Sequence, residues 1–141
     1  MFRFFKRKKQ TEEAVDTVVS LSADDASLMA YKDKAQKELQ YLIDFMSDHE
    51  KDDELFRYAV KADFVEDGHS EHMWVQVNEF KDGHFLGLLA NEPNTIKSIK
   101  YRDKLTVKRD DVEDWILQDF LTHTKVGGYS SEYIRNNARK D

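Results

Sequence analysis

Three histidines, His69, His72 and His84, fall within sixteen residues, and Glu71 stands beside the second. The H-x-x-H spacing of His69 and His72 suits zinc, which takes imidazole nitrogen and carboxylate oxygen as ligands. Asp82-Gly83 argues against a three-histidine site. It is a hairpin signal, because a two-residue type I′ turn needs positive φ at both central positions. Such a turn pairs Lys81 with His84, Phe80 with Phe85 and Trp74 with Asn91. His72 lies nine residues from Lys81 along that strand. At about 3.3 Å per residue it is then roughly 30 Å from His84. Only His69 and His72 remain within reach of one ion, and structural zinc needs four ligands. The histidines read as solvated or capping residues, and neither a metal nor a cofactor is expected.

The same register places Trp74 on a face with Gln76, Asn78 and Phe80, opposite Asn91, Leu89, Gly87 and Phe85. The other face carries Met73, Val75 and Val77 against Leu88 and Ala90, and is the cleaner core face. Trp74 either lines a groove on the mixed face or packs in the core, the commoner fate of tryptophan. Glu71, His72, Trp74, Asn91, Glu92 and Asp114 are candidate binding residues there. Asp114-Trp115 and Gly127-Gly128-Tyr129 meet if a hairpin joins them, which adds Trp115, Gly127, Gly128 and Tyr129. Two glycines before a helix can offer backbone N–H groups to an anion. They can also simply let the chain turn from strand to helix. No phosphate-binding fingerprint accompanies them, so the turn is the preferred reading.

Catalytic chemistry finds little footing. Ser70 adjoins His69, but no G-x-S-x-G elbow is present. Glu71 with Glu92 or Asp114 would make an acid/base pair. Acidic residues are too frequent here for such a pairing to be informative. No catalytic residue is assigned, and a non-enzyme is the favoured expectation.

The first ten residues hold Phe2, Phe4 and Phe5 among Arg3, Lys6, Arg7, Lys8 and Lys9, a local charge of +5. Cations near anionic lipid contribute about 1 kcal/mol each, and the phenylalanines can enter the interface. A solvated tail is the simpler expectation, dispensable for folding. The whole chain carries −6, so residues 11–141 carry −11. A body so acidic repels nucleic acid. The partners expected are therefore a protein, no nucleic acid, and at most a weak peripheral membrane contact through residues 1–10. The longest apolar run, residues 85–90, is far short of the roughly 20 residues of a membrane span. No apolar h-region follows the basic residues, and the chain has no cysteine. Those features lead to a cytoplasmic expectation.

Positioning these residues falls to one domain, residues 22–141, behind a head and linker at 1–21. Ser22 with Asp25 three residues on reads as a helix start. Leu28, Tyr31, Ala35, Leu39, Leu42 and Met46 recur at three- and four-residue intervals, predicting a helix over residues 23–48. At roughly 40 Å, it would overhang strands of about 17–20 Å. Phe56, Tyr58, Val60, Ala62 and Phe64 alternate as a first strand, followed by a loop at residues 66–70. Residues 73–77, 85–90, 104–108 and 115–122 supply further strands, and a short last helix runs from Ser131 under a Ser130 cap. The expected architecture is α+β: a long N-terminal helix on a curved antiparallel sheet of about five strands, then a short C-terminal helix.

Within residues 55–135, Glu71-His72-Met73-Trp74, Gly87, Asn91-Glu92-Pro93, Asp114-Trp115 and Gly127-Gly128-Tyr129 occur in an order that resembles the YegJ-like family of small bacterial proteins, a domain of unknown function. The family has Gly-Asp where this chain has Arg102-Asp103. The resemblance implies a bacterial source and one small α+β domain. It brings no activity or catalytic residue. Some similar small bacterial families look like immunity or interaction proteins of toxin loci. The acidic surface, the long overhanging helix and the lack of an assembled catalytic motif lead to the expectation of a non-catalytic protein–protein interaction module whose acidic charge steers it to a basic partner; the resemblance adds an immunity-like role. The alternative is a small-ligand-binding or hydrolytic domain with its site around Trp74, Glu92 and Asp114.

Overall fold

The computed structural model describes residues 3–4 and 25–131. The Ser22 cap and most of the basic head, including Phe2, Phe5, Lys6, Arg7, Lys8 and Lys9, lie outside the described residues, as do residues 132–141.

Helix α1 runs Asp25–Asp48. Of the predicted stripe, Ala35, Leu39 and Leu42 are fully buried, Met46 nearly so, and Tyr31 is half-buried. Each buried leucine contributes about 1.5–3 kcal/mol relative to exposure. A short 3-10 segment, Glu50–Leu55, leads to the sheet. The strands are β1 (Arg3–Phe4), β2 (Phe56–Glu66), β3 (His69–Lys81), β4 (His84–Leu89), β5 (Lys104–Lys108), β6 (Asp114–Asp119) and β7 (Thr124–Gly127). Their order is β1-β5-β4-β3-β2-β6-β7. All neighbours are antiparallel except the two-residue β1, which lies parallel to β5. The architecture is α+β, with helical backbone resuming at residues 129–131.

The helix covers one face of the sheet. Tyr58, Val60, Val75, Val77, Phe85, Leu105, Trp115 and Leu117 meet it in a single core. Polar bonds set its position: the Trp115 indole N–H donates to the Ala35 carbonyl at 3.1 Å. The Gln36 amide donates to the Arg109 and Val112 carbonyls at 2.9 and 2.7 Å. The strands are not all short. The 11 residues of β2 reach about 36 Å, the length of the 24 residues of α1.

Four expectations are corrected. Residues 66–70 are not an open loop. Asp67-Gly68 is a two-residue turn with both φ positive, 52° and 80°, and the strands run up to the Glu66–His69 pair. Secondly, the β3–β4 register slips between Val77 and Glu79, so Val75 faces Leu89 and Val77 faces Gly87. Asn78 is the extra residue of a β-bulge. The slip puts Phe85 and Leu89 in the core, where a regular hairpin would have put Leu88 and Ala90, and sets the Ala90 N–H on the Trp74 carbonyl. Gly87 is needed beside it, because a Cβ there would sit 2.0 Å from the Gln76 carbonyl oxygen. Thirdly, the strand expected at 115–122 stops at Asp119 and returns as β7. Among the described residues the antiparallel strands thus number six, in the expected sheet of about five. Finally, helical backbone begins at residue 129 rather than 131.

Candidate functional site

Strands with a period of two send alternate residues to opposite faces. In β2 the core residues Tyr58 and Val60 alternate with Arg57, Ala59 and Lys61. Cross-strand neighbours share a face: Arg57 pairs with Gln118, Ala59 with Gln76 and Ile116, and Lys61 with Trp74. Gln118 in turn pairs with Lys125. Every one of these side chains is at least partly exposed. On this face, which no helix of the described residues covers and which is called the helix-free face below, a groove of about 270 Å³ is lined by Arg57, Ala59, Trp74, Ile116, Gln118 and Lys125, with Ala90 and Asn91. The Lys61 ammonium stands 5.8 Å from the Trp74 ring centroid, a cation–π contact of about 0.5–1 kcal/mol at an exposed site. The Asn91 Oδ1 accepts the Trp74 backbone N–H at 2.6 Å, capping the end of the β3–β4 ladder.

His72 lies on the same face, directly opposite Asp63. Its Nδ1 is 2.7 Å from a Glu113 carboxylate oxygen, and its Nε2 is 3.9 Å from Asp63. Both carboxylates are buried while the imidazole is about half exposed. Burial pulls the imidazole pKa down. The Glu113 hydrogen bond and the charges of Glu113 and Asp63 outweigh that and hold it above the ordinary 6.5, against opposition from Lys61. The two acids beside it favour the charged form of the imidazole. Among the described residues no cluster of three or more His, Asp or Glu is arranged to hold a metal ion.

Glu71 is on the other face, opposite Phe64, and its work is structural. Its carboxylate accepts the backbone N–H groups of Asn94, Thr95 and Ile96 at 2.8–3.1 Å. Glu66 accepts those of Lys97 and Ser98 at 2.7 and 3.1 Å. Five consecutive N–H groups of an irregular segment are thus satisfied by two side chains. Burial raises the Glu71 pKa, but the three backbone donors and Lys97 bring it below the usual value.

Asp114 is fully buried and engaged. It accepts the backbone N–H groups of Trp115, Tyr129 and Ser130 at 2.8, 3.0 and 2.8 Å, and the Ser130 hydroxyl. The N–H groups that follow Gly127-Gly128 therefore already have an acceptor, the Asp114 side chain. Both glycines have positive φ, 87° and 78°. At Gly127 a Cβ would lie 2.2 Å from the Trp115 carbonyl oxygen. The glycines serve the turn and a close strand approach.

The ten candidates thus separate. Trp74 and Asn91 share the groove, with His72 two residues along β3 from Trp74. Trp115 is a core residue, 1% exposed. Tyr129 borders a second cleft, of about 440 Å³, with Lys37, Glu38, Tyr41, Trp115 and Val126, and its hydroxyl donates to Glu38. Glu92 is exposed and lines neither cavity. Of Trp74, Glu92 and Asp114, only Trp74 borders the groove. Reasoning from sequence missed Arg57, Ala59, Ile116, Gln118 and Lys125 there, and Asp63 and Glu113 beside His72. The signal for the first two was present: they are the residues of the first strand that alternate with its core positions.

No helix among the described residues is long and apolar enough to cross a membrane. No solved structure matches the chain. A relative of Escherichia coli (strain K12), "Uncharacterized protein YegJ", is 28% identical over 119 residues, which are 84% of this chain and 73% of that protein. Residues 24–141 match the family described as "Uncharacterized protein conserved in bacteria (DUF2314)". That match takes in α1, all six antiparallel strands and the turn that Asp114 holds, so the chain belongs to the DUF2314 family of bacterial proteins.

Proposed function

We propose that this protein is a non-catalytic interaction module that engages a protein partner through the helix-free face of its sheet. One observation carries the reading: Trp74, a large apolar side chain, stands part-exposed over a groove between polar and apolar neighbours. Tryptophan is enriched among the few residues that dominate binding energy at protein interfaces. A strand framework holds its surroundings rigidly, which lowers the ordering cost of association. The small-ligand alternative loses ground, because Asp114 is spent on the turn at residues 128–130 and Glu92 lies outside the groove.

The test is affinity capture from the native host with wild-type and Trp74→Ala proteins as baits. A partner retained by the wild type and lost by the variant is the expected result. Failure to recover any specific partner, or equal recovery by both baits, removes the reading.

A further inference from the structure

The charge of the helix-free face is opposite to that of the chain. Cross-strand pairing places Arg57, Lys61, Lys104, Lys108 and Lys125 on it, in a protein whose net charge is −6. Two of the three acids on the described strands of the same face are withdrawn. Asp114 is buried against the turn at residues 128–130, and Asp63 is buried beside His72. Glu79, paired with Leu86, is an exposed carboxylate toward the far end of β3. Between the cations lie part-exposed apolar side chains: Ala59, Trp74, Leu86, Leu88 and Ile116. The face is therefore basic and apolar together.

We propose that this face takes an acidic, amphipathic polypeptide segment of a partner protein, its carboxylates meeting Arg57, Lys61 and Lys125 and its apolar side chains entering the groove at Trp74. This rests on the interaction reading above and names the partner's chemistry. Charge complementarity gives the sign. At contact the local cations prevail over the distant acidic body, because exposed charges are screened beyond about 8–10 Å at physiological salt. The aliphatic residues decide the class of polymer. A single-stranded nucleic acid would bring phosphates for the cations, but its bases stack on aromatic rings. Among the apolar side chains that β2, β3, β4 and β6 present on this face, Trp74 is the one aromatic, and Ala59, Leu86, Leu88 and Ile116 are aliphatic. A polypeptide supplies both carboxylates and apolar side chains.

Trp74 also reports binding, since the other tryptophan, Trp115, is 1% exposed and hidden from a quencher. The probe is a synthetic helical peptide with leucines on one face and glutamates on the other. Its controls are the same peptide with glutamine for glutamate, oligothymidylate, and vesicles of anionic lipid. The glutamate peptide should protect Trp74 from acrylamide quenching, bind at least tenfold more tightly than the glutamine form, and weaken with added salt. Arg57→Glu with Lys125→Glu should lower its affinity about tenfold, as expected for two exposed ion pairs reversed, with the far-ultraviolet spectrum unchanged. Equal binding of both peptide forms, no binding of the glutamate peptide, or tighter binding of oligothymidylate or vesicles overturns the proposal. A partner that Trp74→Ala loses in host capture, but whose cross-linked segment is neutral or basic, overturns this inference alone. Loss of no partner on Trp74→Ala overturns the interaction reading instead.

Discussion

The two faces of the sheet are built from the same strands, yet they do different work. On the covered face Val60, Val75, Leu105 and Leu117 pack against Ala35, Leu39 and Leu42, and nearly every side chain is out of water. On the open face Arg57, Lys61, Gln76 and Lys125 remain accessible around Trp74. The difference teaches that period-two alternation separates a packed face from a solvated one, and that the exceptions to it are where polar groups are buried. Asp114 and Asp63 share the open face by register but are buried, each against a group from another element.

The largest expected effect comes from such an exception. Asp114→Ala leaves buried N–H groups of residues 115, 129 and 130 and the Ser130 hydroxyl without their acceptor. At about 1–3 kcal/mol for each unsatisfied group, with partial relaxation, the loss should reach about 4 kcal/mol in urea denaturation. A loss below about 1 kcal/mol would show that the turn at residues 128–130 does not depend on Asp114.

The comparison itself is tested by Leu39→Ala against Ile116→Ala. The covered-face change should cost about 3 kcal/mol, as large-to-small core changes do, and the open-face change about 1 kcal/mol or less. Similar losses would mean that the face carrying Trp74 is a second core, and no binding surface.

Gly87→Ala probes the boundary between the faces. The added Cβ meets the Gln76 carbonyl, so the bulged register must shift. We expect a loss of about 2 kcal/mol, and changed amide chemical shifts centred on residues 76–78. An unperturbed spectrum there would count against the bulge.

Arg102→Gly should stabilise. Arg102 has φ of 75°, a left-handed conformation that side chains disfavour, and glycine removes the strain for a gain of about 0.5–1 kcal/mol. The position is the one where the resemblance to the YegJ-like family showed a Gly-Asp pair. A destabilised variant would mean that the arginine side chain does more than tolerate the turn.

The smallest effects are two pH dependences of opposite sign. The His72 pKa is raised in the folded state. Its contribution is present below the unfolded value near 6.5 and is lost as pH rises through the folded value. With the imidazole half in water it should amount to less than about 1 kcal/mol, and His72→Gln should abolish it. The Glu71 and Glu66 pKa values are lowered. Their contribution is present above the unfolded value near 4.5 and is lost as pH falls through the folded values. Denaturation midpoints of wild type, His72→Gln and Glu71→Gln across about pH 4–8 separate the two. A His72→Gln profile parallel to wild type between about pH 6 and 8 would show that the His72 pKa is not raised on folding.

Much of this molecule was legible from its residues because local periodicity carries it. The stripe of α1, the alternation of β2 and the Asp82-Gly83 turn follow from spacing, since helix and strand periods are properties of the backbone and need no distant contact. Asp67-Gly68 carried the same turn signal and went unread. Other features were decided only by tertiary structure. The bulge at Asn78 has no local signature: it reflects how β3 must twist past β4 at Gly87, and one extra residue exchanged the face of every side chain in the returning strand. Strand β7 has four residues, exposed or half-buried throughout, too few and too polar to show alternation. The partners of Asp114, Glu71 and His72 lie 16, 25 and 41 residues away at their furthest. An acidic residue in a chain with 28 of them looks the same whether solvated or buried. Only the folded chain, by bringing distant donors into a space without water, determines which carboxylates hold the structure and which stay in solvent.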